Sequence, residues 1–368
     1  RRVLFRSGLR RPGRFLGLHF FNPAPAMKLV EIIPGAATDV GLVAAAEALM
    51  RLWGKEPVVA RDVPGFIVNR VARPFYSEGW RALEEGAADA ATIDFLFRDL
   101  AGFRMGPLEL GDLIGHDVNS AVARSIHEAY FGRTRFAPSL MQASLAASGK
   151  LGRKTGAGVY DYHDDAPPPA PAFAPAHPAP KDIRFGPLTG PLQLLCGAPG
   201  ASDNSTPAGF ASLDGALVGF ADGWPASAYA RAFGRPVALL DYVDAPAAAA
   251  AIAFSASDET ARSAARAYAA AAGKKAVELF DRPGLVVLRT LLQLANAAAD
   301  AVRDRVGEAS GIDRAMRFGA NYPYGPLAWV QSFGFARAVE ALDAISKETG
   351  EPMYRACEYL RAEARKQV

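Results

Sequence analysis

The feature that most limits how this chain can fold is an internal repeat held at a single spacing. Asp62-Val63-Pro64-Gly65-Phe66-Ile67-Val68 is echoed by Asp281-Arg282-Pro283-Gly284-Leu285-Val286-Val287, Ile93-Asp94 by Ile312-Asp313, Met105-Gly106-Pro107-Leu108 by Tyr324-Gly325-Pro326-Leu327, and Gly54-Lys55 by Gly273-Lys274. Every pair is 219 residues apart, so the match runs without a gap across more than fifty positions. A tandem of two like modules is the expectation. Between them Ala166 to Pro180 alternates Ala and Pro, which cannot build a core and reads as an extended, semi-rigid linker. Module one should end near Tyr162.

Within module one, Phe15 to Phe20 and Met27 to Ile33 are short β-prone runs separated by Asn22-Pro23-Ala24-Pro25, so adjacent strands with a Pro-set turn are predicted. Asp39 to Trp53 has helical periodicity and stops at Gly54, a C-cap signal, and Val58-Val59-Ala60 reads as a last strand. Apolar residues then recur at helical spacing over Phe66 to Leu83, Thr92 to Leu100 and Leu108 to His127. In module two, Val237 to Leu240 and Ala249 to Phe254 are the matching strand pair and Asp258 to Ala272 the matching helix, while Ile183 to Asp222 can be assigned only loosely. The fold class is α/β plus all-α: the end of an α/β domain at 11–61, a helical domain at 62–165, the linker at 166–182, a degenerate α/β domain at 183–280 and a second helical domain at 281–368.

Composition narrows the function classes. The net charge is +3, and six of the arginines fall in the first fourteen residues, so no basic stripe for nucleic acid remains. The longest apolar runs are too short to span a bilayer. Cys196 and Cys357 have no metal spacing, so a soluble protein of a reducing cytoplasm, without disulfide or metal, is expected. Val3-Leu4-Phe5-Arg6-Ser7 is what a common sequencing-adapter end would encode, so 1–10 is expected to be an artefact or a disordered tail.

The chemistry concentrates in Gly17-Leu18-His19-Phe20-Phe21-Asn22-Pro23 and Met27-Lys28-Leu29-Val30-Glu31. A hairpin would bring His19 at the end of one strand to Glu31 on the next. A carboxylate on one ring nitrogen fixes the tautomer and stabilises the imidazolium formed when the other nitrogen takes an alcohol's proton. A satisfied core histidine, a turn-making Asn22, a capping Asn69 and a loop cation at Lys154 are the plainer alternatives. His116, His127, His163 and His177 read as ordinary, and Glu109 and Asp112 as surface or cap carboxylates.

With Asp62 to Arg70, Gly106-Pro107-Leu108-Glu109-Leu110 and Gly152-Arg153-Lys154-Thr155-Gly156-Ala157-Gly158-Val159-Tyr160 added, module one resembles the 3-hydroxyacyl-CoA dehydrogenase family from about Gly13 to Tyr162. The resemblance implies a Rossmann-type NAD domain followed by a helical dehydrogenase domain. It implies NAD as cofactor, an acyl-CoA thioester as substrate and oxidation of an (S)-3-hydroxyacyl-CoA to the 3-oxoacyl-CoA. It makes His19 the base, Glu31 its orienting partner, Asn69 the side chain that holds the thioester or 3-oxygen, and Asn22 and Lys154 contacts of the nicotinamide cofactor. In single-module members the helical domain is the dimer interface, so either a homo-oligomer or docking of module two on module one in cis is expected. The long bacterial form, including 3-hydroxyadipyl-CoA dehydrogenases, carries such a second module.

In that second module the His19 position is expected at Ala238 or Leu240, the Glu31 position at Ala250 or Ile252, and the Asn69 position at Leu288, all apolar. No Gly-x-Gly-x-x-Gly occurs, and the family's catalytic Ser and CoA contacts match nothing here, so an N-terminally truncated, weakly NAD-binding or inactive chain is expected. A sugar-acid dehydrogenase of the crystallin-like branch and a non-catalytic oligomerisation partner are the competing readings.

Overall fold

A computed structural model describes residues 9–197 and 200–366; the expectation of a tail over 1–10 lies almost wholly outside them. Three strands begin the first half. β1 (Leu16–Phe20) pairs antiparallel with β2 (Leu29–Pro34), and β2 pairs parallel with β3 (Glu56–Val59) after the crossover helix α1 (Val40–Leu52). Beyond Trp53, Gly54 turns the chain at φ +72°, and the Lys55 ammonium satisfies the Ala24 and Met27 carbonyls at 2.5 and 2.8 Å, fastening the β1–β2 turn.

The helical layer follows as α2 (Val68–Val71), α3 (Arg73–Glu84), α4 (Ala90–Ala101), α5 (Pro107–Ile114), α6 (His116–Ala129) and α7 (Leu140–Ala147). Two expected helices are broken. The run from Phe66 starts two residues late because Gly65 and Phe66 sit at φ +79° and +47°, and the run from Leu108 is split at Gly115, φ +98°. α4 is bounded as its sequence dictates: the Asp89 carboxylate accepts from Thr92 N–H at 2.8 Å, and left-handed Gly102 ends it.

The second half holds β4 (Arg184–Phe185), α8 (Gly190–Cys196), β5 (Ala201–Ser202), β6 (Phe210–Leu213), β7 (Ala216–Phe220), α9 (Ala226–Phe233), β8 (Val237–Leu240), β9 (Ala251–Ala256), α10 (Glu259–Ala271) and β10 (Lys275–Glu278). The stretch 183–222, opaque to sequence patterning, thus supplies four strands of a seven-stranded sheet ordered β10-β9-β8-β7-β6-β4-β5. Its β8, β9 and β10 repeat the arrangement of β1, β2 and β3, antiparallel then parallel. Helices α11 (Val287–Arg303), α12 (Ala309–Gly319), α13 (Pro326–Phe333), α14 (Phe335–Thr349) and α15 (Glu358–Arg365) complete the chain.

α11 is buried at every residue from Val287 to Ala301, as a helix that is central to a core must be. It lies against α3 of the first half and α13 and α15 of the second, and one continuous apolar cluster joins Leu29, Phe75 and Trp80 to Leu292, Ile312 and Leu342. At this junction the buried Glu78 carboxylate meets Arg289 at 3.1 Å, the Tyr354 hydroxyl at 3.0 Å and Arg81 at 2.6 Å. Burial works against its ionisation, but the arginines outweigh it and hold the group below the usual carboxylate range. The Ala/Pro segment is extended and pinned to both halves: Ala172 N–H donates to Thr92 Oγ1 and Ala174 N–H to the Ala276 carbonyl, each at 2.8 Å.

Candidate active site

His19 and Glu31 are direct cross-strand neighbours in the β1–β2 ladder, and Nδ1 of the imidazole lies 2.6 Å from Glu31 Oε2. An ionised carboxylate can only accept, so Nδ1 carries the proton and Nε2 presents its lone pair. The histidine side chain is 30% exposed and the glutamate fully buried, which leaves the ring's far edge open to a reactant. Phe21 meets the ring edge-on at 4.7 Å and Phe66 lies tilted at 5.4 Å, fixing its plane.

The other carboxylate oxygen of Glu31 accepts from Ile67 and Val68 N–H at 2.9 and 3.0 Å. Those donors are first-turn groups with no partner inside α2 itself. One buried side chain therefore orients the base and anchors the helix that carries Asn69. Gly65 is required in this turn: a Cβ there would stand 3.1 Å from Arg70 N in addition to its left-handed φ.

The structure thus brings His19, Glu31 and the start of α2, with Asn69, into one place. The Asn69 side chain is half-buried and makes no hydrogen bond among the described residues. Asn22 is exposed, three residues beyond His19, and joins Pro23 through a cis peptide bond. Lys154 lies in the 152–162 loop, where its ammonium pairs with Asp117 at 2.5 Å beside the start of α6.

Sequence reasoning missed two buried carboxylates. Asp112, expected at the surface or in a cap, is fully buried. It accepts from His116 Nε2 at 2.5 Å, from Val159 and Tyr160 N–H, and from the Tyr162 hydroxyl, folding the 152–162 loop over α5. Burial raises its pKa, but these donors outweigh that and hold it low. Asp94 accepts from Leu108 and Glu109 N–H and from the Tyr160 hydroxyl; burial pushes its pKa up to about 6.

Strand register corrects the alignment of the second half. Glu31 pairs with Val58, and Val277, 219 residues on, pairs with Ala253. Ala253 in turn accepts from Asp241 N–H at 2.8 Å. The His19 position is therefore Asp241 and the Glu31 position Ala253, rather than the residues expected from sequence. Nor is the replacement wholly apolar. The Asp241 carboxylate takes Val286, Val287 and Leu288 N–H at 3.0, 2.8 and 3.0 Å, so the acid that anchors the helix start has moved one strand across. Without an imidazole beside it, Asp241 has no group to orient, and burial raises its pKa despite those donors.

Against known families, residues 65–162 and again 284–367 match the 3-hydroxyacyl-CoA dehydrogenase C-terminal domain, residues 4–63 its NAD binding domain, and residues 218–283 the 3-hydroxybutyryl-CoA dehydrogenase reduced Rossmann-fold domain. The chain is 40% identical over 363 residues to the 3-hydroxyadipyl-CoA dehydrogenase of Escherichia coli K12, covering 97% of itself and 71% of that protein. It belongs to the 3-hydroxyacyl-CoA dehydrogenase family. The crystal structure of 3-hydroxybutyryl-CoA dehydrogenase from the same bacterium superposes with a TM-score of 0.88 at 39% identity, over 99% of this chain and 73% of that one. The 3-hydroxybutyryl-CoA dehydrogenase of Bradyrhizobium diazoefficiens is 40% identical over 159 residues, 43% of this chain and 54% of that protein.

These dehydrogenases use NAD, and β1 to β3 are the closing strands of its Rossmann-type domain. The residues present fit the reacting end of the cofactor: an open imidazole nitrogen, with the amides of Asn22 and Asn69 on the elements either side of it. Among the described residues, no cluster of His, Cys, Asp and Glu is arranged to hold a metal, and no helix is long and apolar enough to cross a membrane.

Proposed function

We propose that His19 is the general base in the NAD-dependent oxidation of an (S)-3-hydroxyacyl-CoA to the 3-oxoacyl-CoA. The observation that carries the reading is the 2.6 Å contact between His19 Nδ1 and a fully buried carboxylate, with Nε2 left facing outward. Nε2 takes the proton of the 3-hydroxyl. Glu31, held in place by two helix-start N–H groups, stabilises the imidazolium that results. NAD, when bound, accepts the hydride from C3. Asn69 donates from α2 to the thioester carbonyl or the 3-oxygen, and Asn22, in the turn three residues beyond His19, contacts the nicotinamide cofactor. Lys154, whose ammonium pairs with Asp117 at the surface, is the second contact proposed for the nicotinamide cofactor.

The acyl chain belongs to the range that the relatives' names span, from hydroxybutyryl to hydroxyadipyl. The second half acts as a companion that covers the helical face of the first in cis, and the two buried free thiols suit the cytoplasm. Neither the sugar-acid reading nor the scaffold reading is favoured, since the family is that of the acyl-CoA enzymes. The test is turnover of (S)-3-hydroxybutyryl-CoA and (S)-3-hydroxyadipyl-CoA with NAD by His19→Ala. A loss of about 10²- to 10⁴-fold is expected for removal of a general base, and activity equal to the parent's would return the chain to a binding role.

A further inference from the structure

The two halves meet through ion pairs that themselves repeat at the 219-residue offset: Arg70 corresponds to Arg289, and Glu85 to Asp304. Arg70 Nη2 lies 2.5 Å from Asp304 Oδ2, and Arg289 Nη2 lies 3.2 Å from Glu85 Oε1. Each arginine comes from the start of the helix after its Pro-Gly turn, is 2% exposed, and takes the acid of the other half. This is the pattern of a two-fold interface, written within one chain. Only one of its two ends adjoins chemistry, because Arg70 directly follows Asn69.

We propose that Asp304, in the half that lacks a catalytic dyad, is a positioning residue for His19 and Glu31. The chain of contacts is short. Asp304 holds the Arg70 guanidinium, whose Nη1 donates to the Tyr130 hydroxyl, which donates to the Pro64 carbonyl, both at 3.2 Å. The other end of the turn is gripped by the same stretch of the second half: Arg61 N–H donates to the Val306 carbonyl at 2.7 Å and Arg61 Nη1 to the Asp304 carbonyl at 3.2 Å. Between these two grips stand Ile67 and Val68, the donors that fix the Glu31 carboxylate and, through it, the tautomer of His19.

No other acid can take over. Asp300 is 3.9 Å from Arg70 and already serves Arg135 at 2.7 Å and Arg303 at 2.8 Å. A buried guanidinium deprived of its carboxylate is costly enough to move, and it moves the helix start with it. At the mirror end, the start of α11 is held by the three N–H bonds to Asp241, and no reacting group depends on it. The inference rests on reading His19 and Glu31 as the working dyad, but its test reads the dyad's geometry rather than turnover.

Compare Asp304→Asn with Glu85→Gln, which breaks the mirror pair in the same interface. Two NMR observables on the 368-residue chain are followed: hydrogen exchange of the Ile67, Val68, Val286, Val287 and Leu288 amides, and the low-field proton of His19 Nδ1, recognised by its loss in His19→Ala. D304N is expected to speed Ile67 and Val68 exchange about tenfold, with Val286 to Leu288 unchanged, and to broaden away the His19 proton. E85Q is expected to leave the His19 proton and the Ile67 and Val68 amides as in the parent, and Asp304→Glu to restore both. Equal acceleration of both amide sets, or an unaltered His19 proton in D304N, overturns the proposal. Should D304N not fold, Arg70→Lys, which keeps the charge and gives up the fork, is read by the same criteria. Failure of the general-base reading is seen separately, as unchanged turnover in His19→Ala.

Discussion

Glu31→Gln is the substitution that separates the chemistry of this site from its architecture. The amide is the shape of the carboxyl it replaces, and its oxygen can keep the Ile67 and Val68 N–H bonds at 2.9 and 3.0 Å. Its NH2 then faces His19 Nδ1, 2.6 Å away in the parent, and Nδ1 must become the acceptor. The single proton of the neutral ring shifts to Nε2, the atom that has to take the substrate's proton. The charge-assisted bond to His19, worth about 1.5–3 kcal/mol, is replaced by a neutral one of about half that, so folding should weaken by only about 1 kcal/mol. Turnover should fall by about 10²- to 10⁴-fold, the range for loss of a general base. Glu31→Ala makes the contrast: two buried N–H groups lose their acceptor at about 1–3 kcal/mol each, so stability falls by about 2–6 kcal/mol as well. Urea unfolding gives the first quantity, NAD-coupled oxidation of a 3-hydroxyacyl-CoA the second, and ¹⁵N shifts of the ring nitrogens the tautomer. A Glu31→Gln protein that carries its proton on Nε2 and still turns over within about threefold of the parent would refute the reasoning.

The two buried acids outside the dyad give two further expectations. Asp94 has its pKa raised from 3.8 to about 6 by burial, so between those values the folded state holds a proton that the unfolded state has lost, and stability contributed here falls as pH rises, by up to about 3 kcal/mol. Relative to Asp94→Asn, the parent's advantage measured by urea unfolding should shrink by that amount from pH 4 to pH 7, and a constant gap would show that Asp94 does not titrate there. Gly106→Ala would place its Cβ 2.1 Å from Asp94 Oδ1 and 2.3 Å from Asp94 Cα, so a loss of about 3 kcal/mol is expected, with Gly325→Ala losing a similar amount against Asp313; a loss under about 1 kcal/mol for either would mean that the helix–helix approach is looser than described.

What the sequence made legible follows a clear physical line. The dyad could be read because strand pairing has a fixed period: with a turn between two β-prone runs, His19 and Glu31 fall opposite one another whatever surrounds them. The gapless repeat carried the helical layer of both halves for the same reason, since a helix start set by Pro-Gly keeps its place in both. Register failed in the second half because the stretch from β9 to β10 is three residues shorter than that from β2 to β3, and in an Ala-rich stretch no side chain marks the shift; Asp241 was therefore passed over. Buried carboxylates are the other blind spot, as a lone Asp looks the same in a cap and in a core. For Asp94 a signal existed, because Asp313 repeats it ahead of the second Gly-Pro-Leu and both accept from the two N–H groups that follow. For Asp112 there was none: its counterpart is Gln331.

The Ala/Pro segment has a consequence for how such an enzyme behaves in dilute solution. Pinned at Ala172 and Ala174, it leaves the two faces joined by a short path along one backbone. Their encounter is then a first-order event, at an effective concentration on the order of millimolar for a short tether, whatever the number of molecules in the cell. A two-chain assembly held by the same contacts would come apart as it was diluted and would exchange subunits with its neighbours. Under the proposed docking in cis, each molecule carries its own companion surface, independent of dilution.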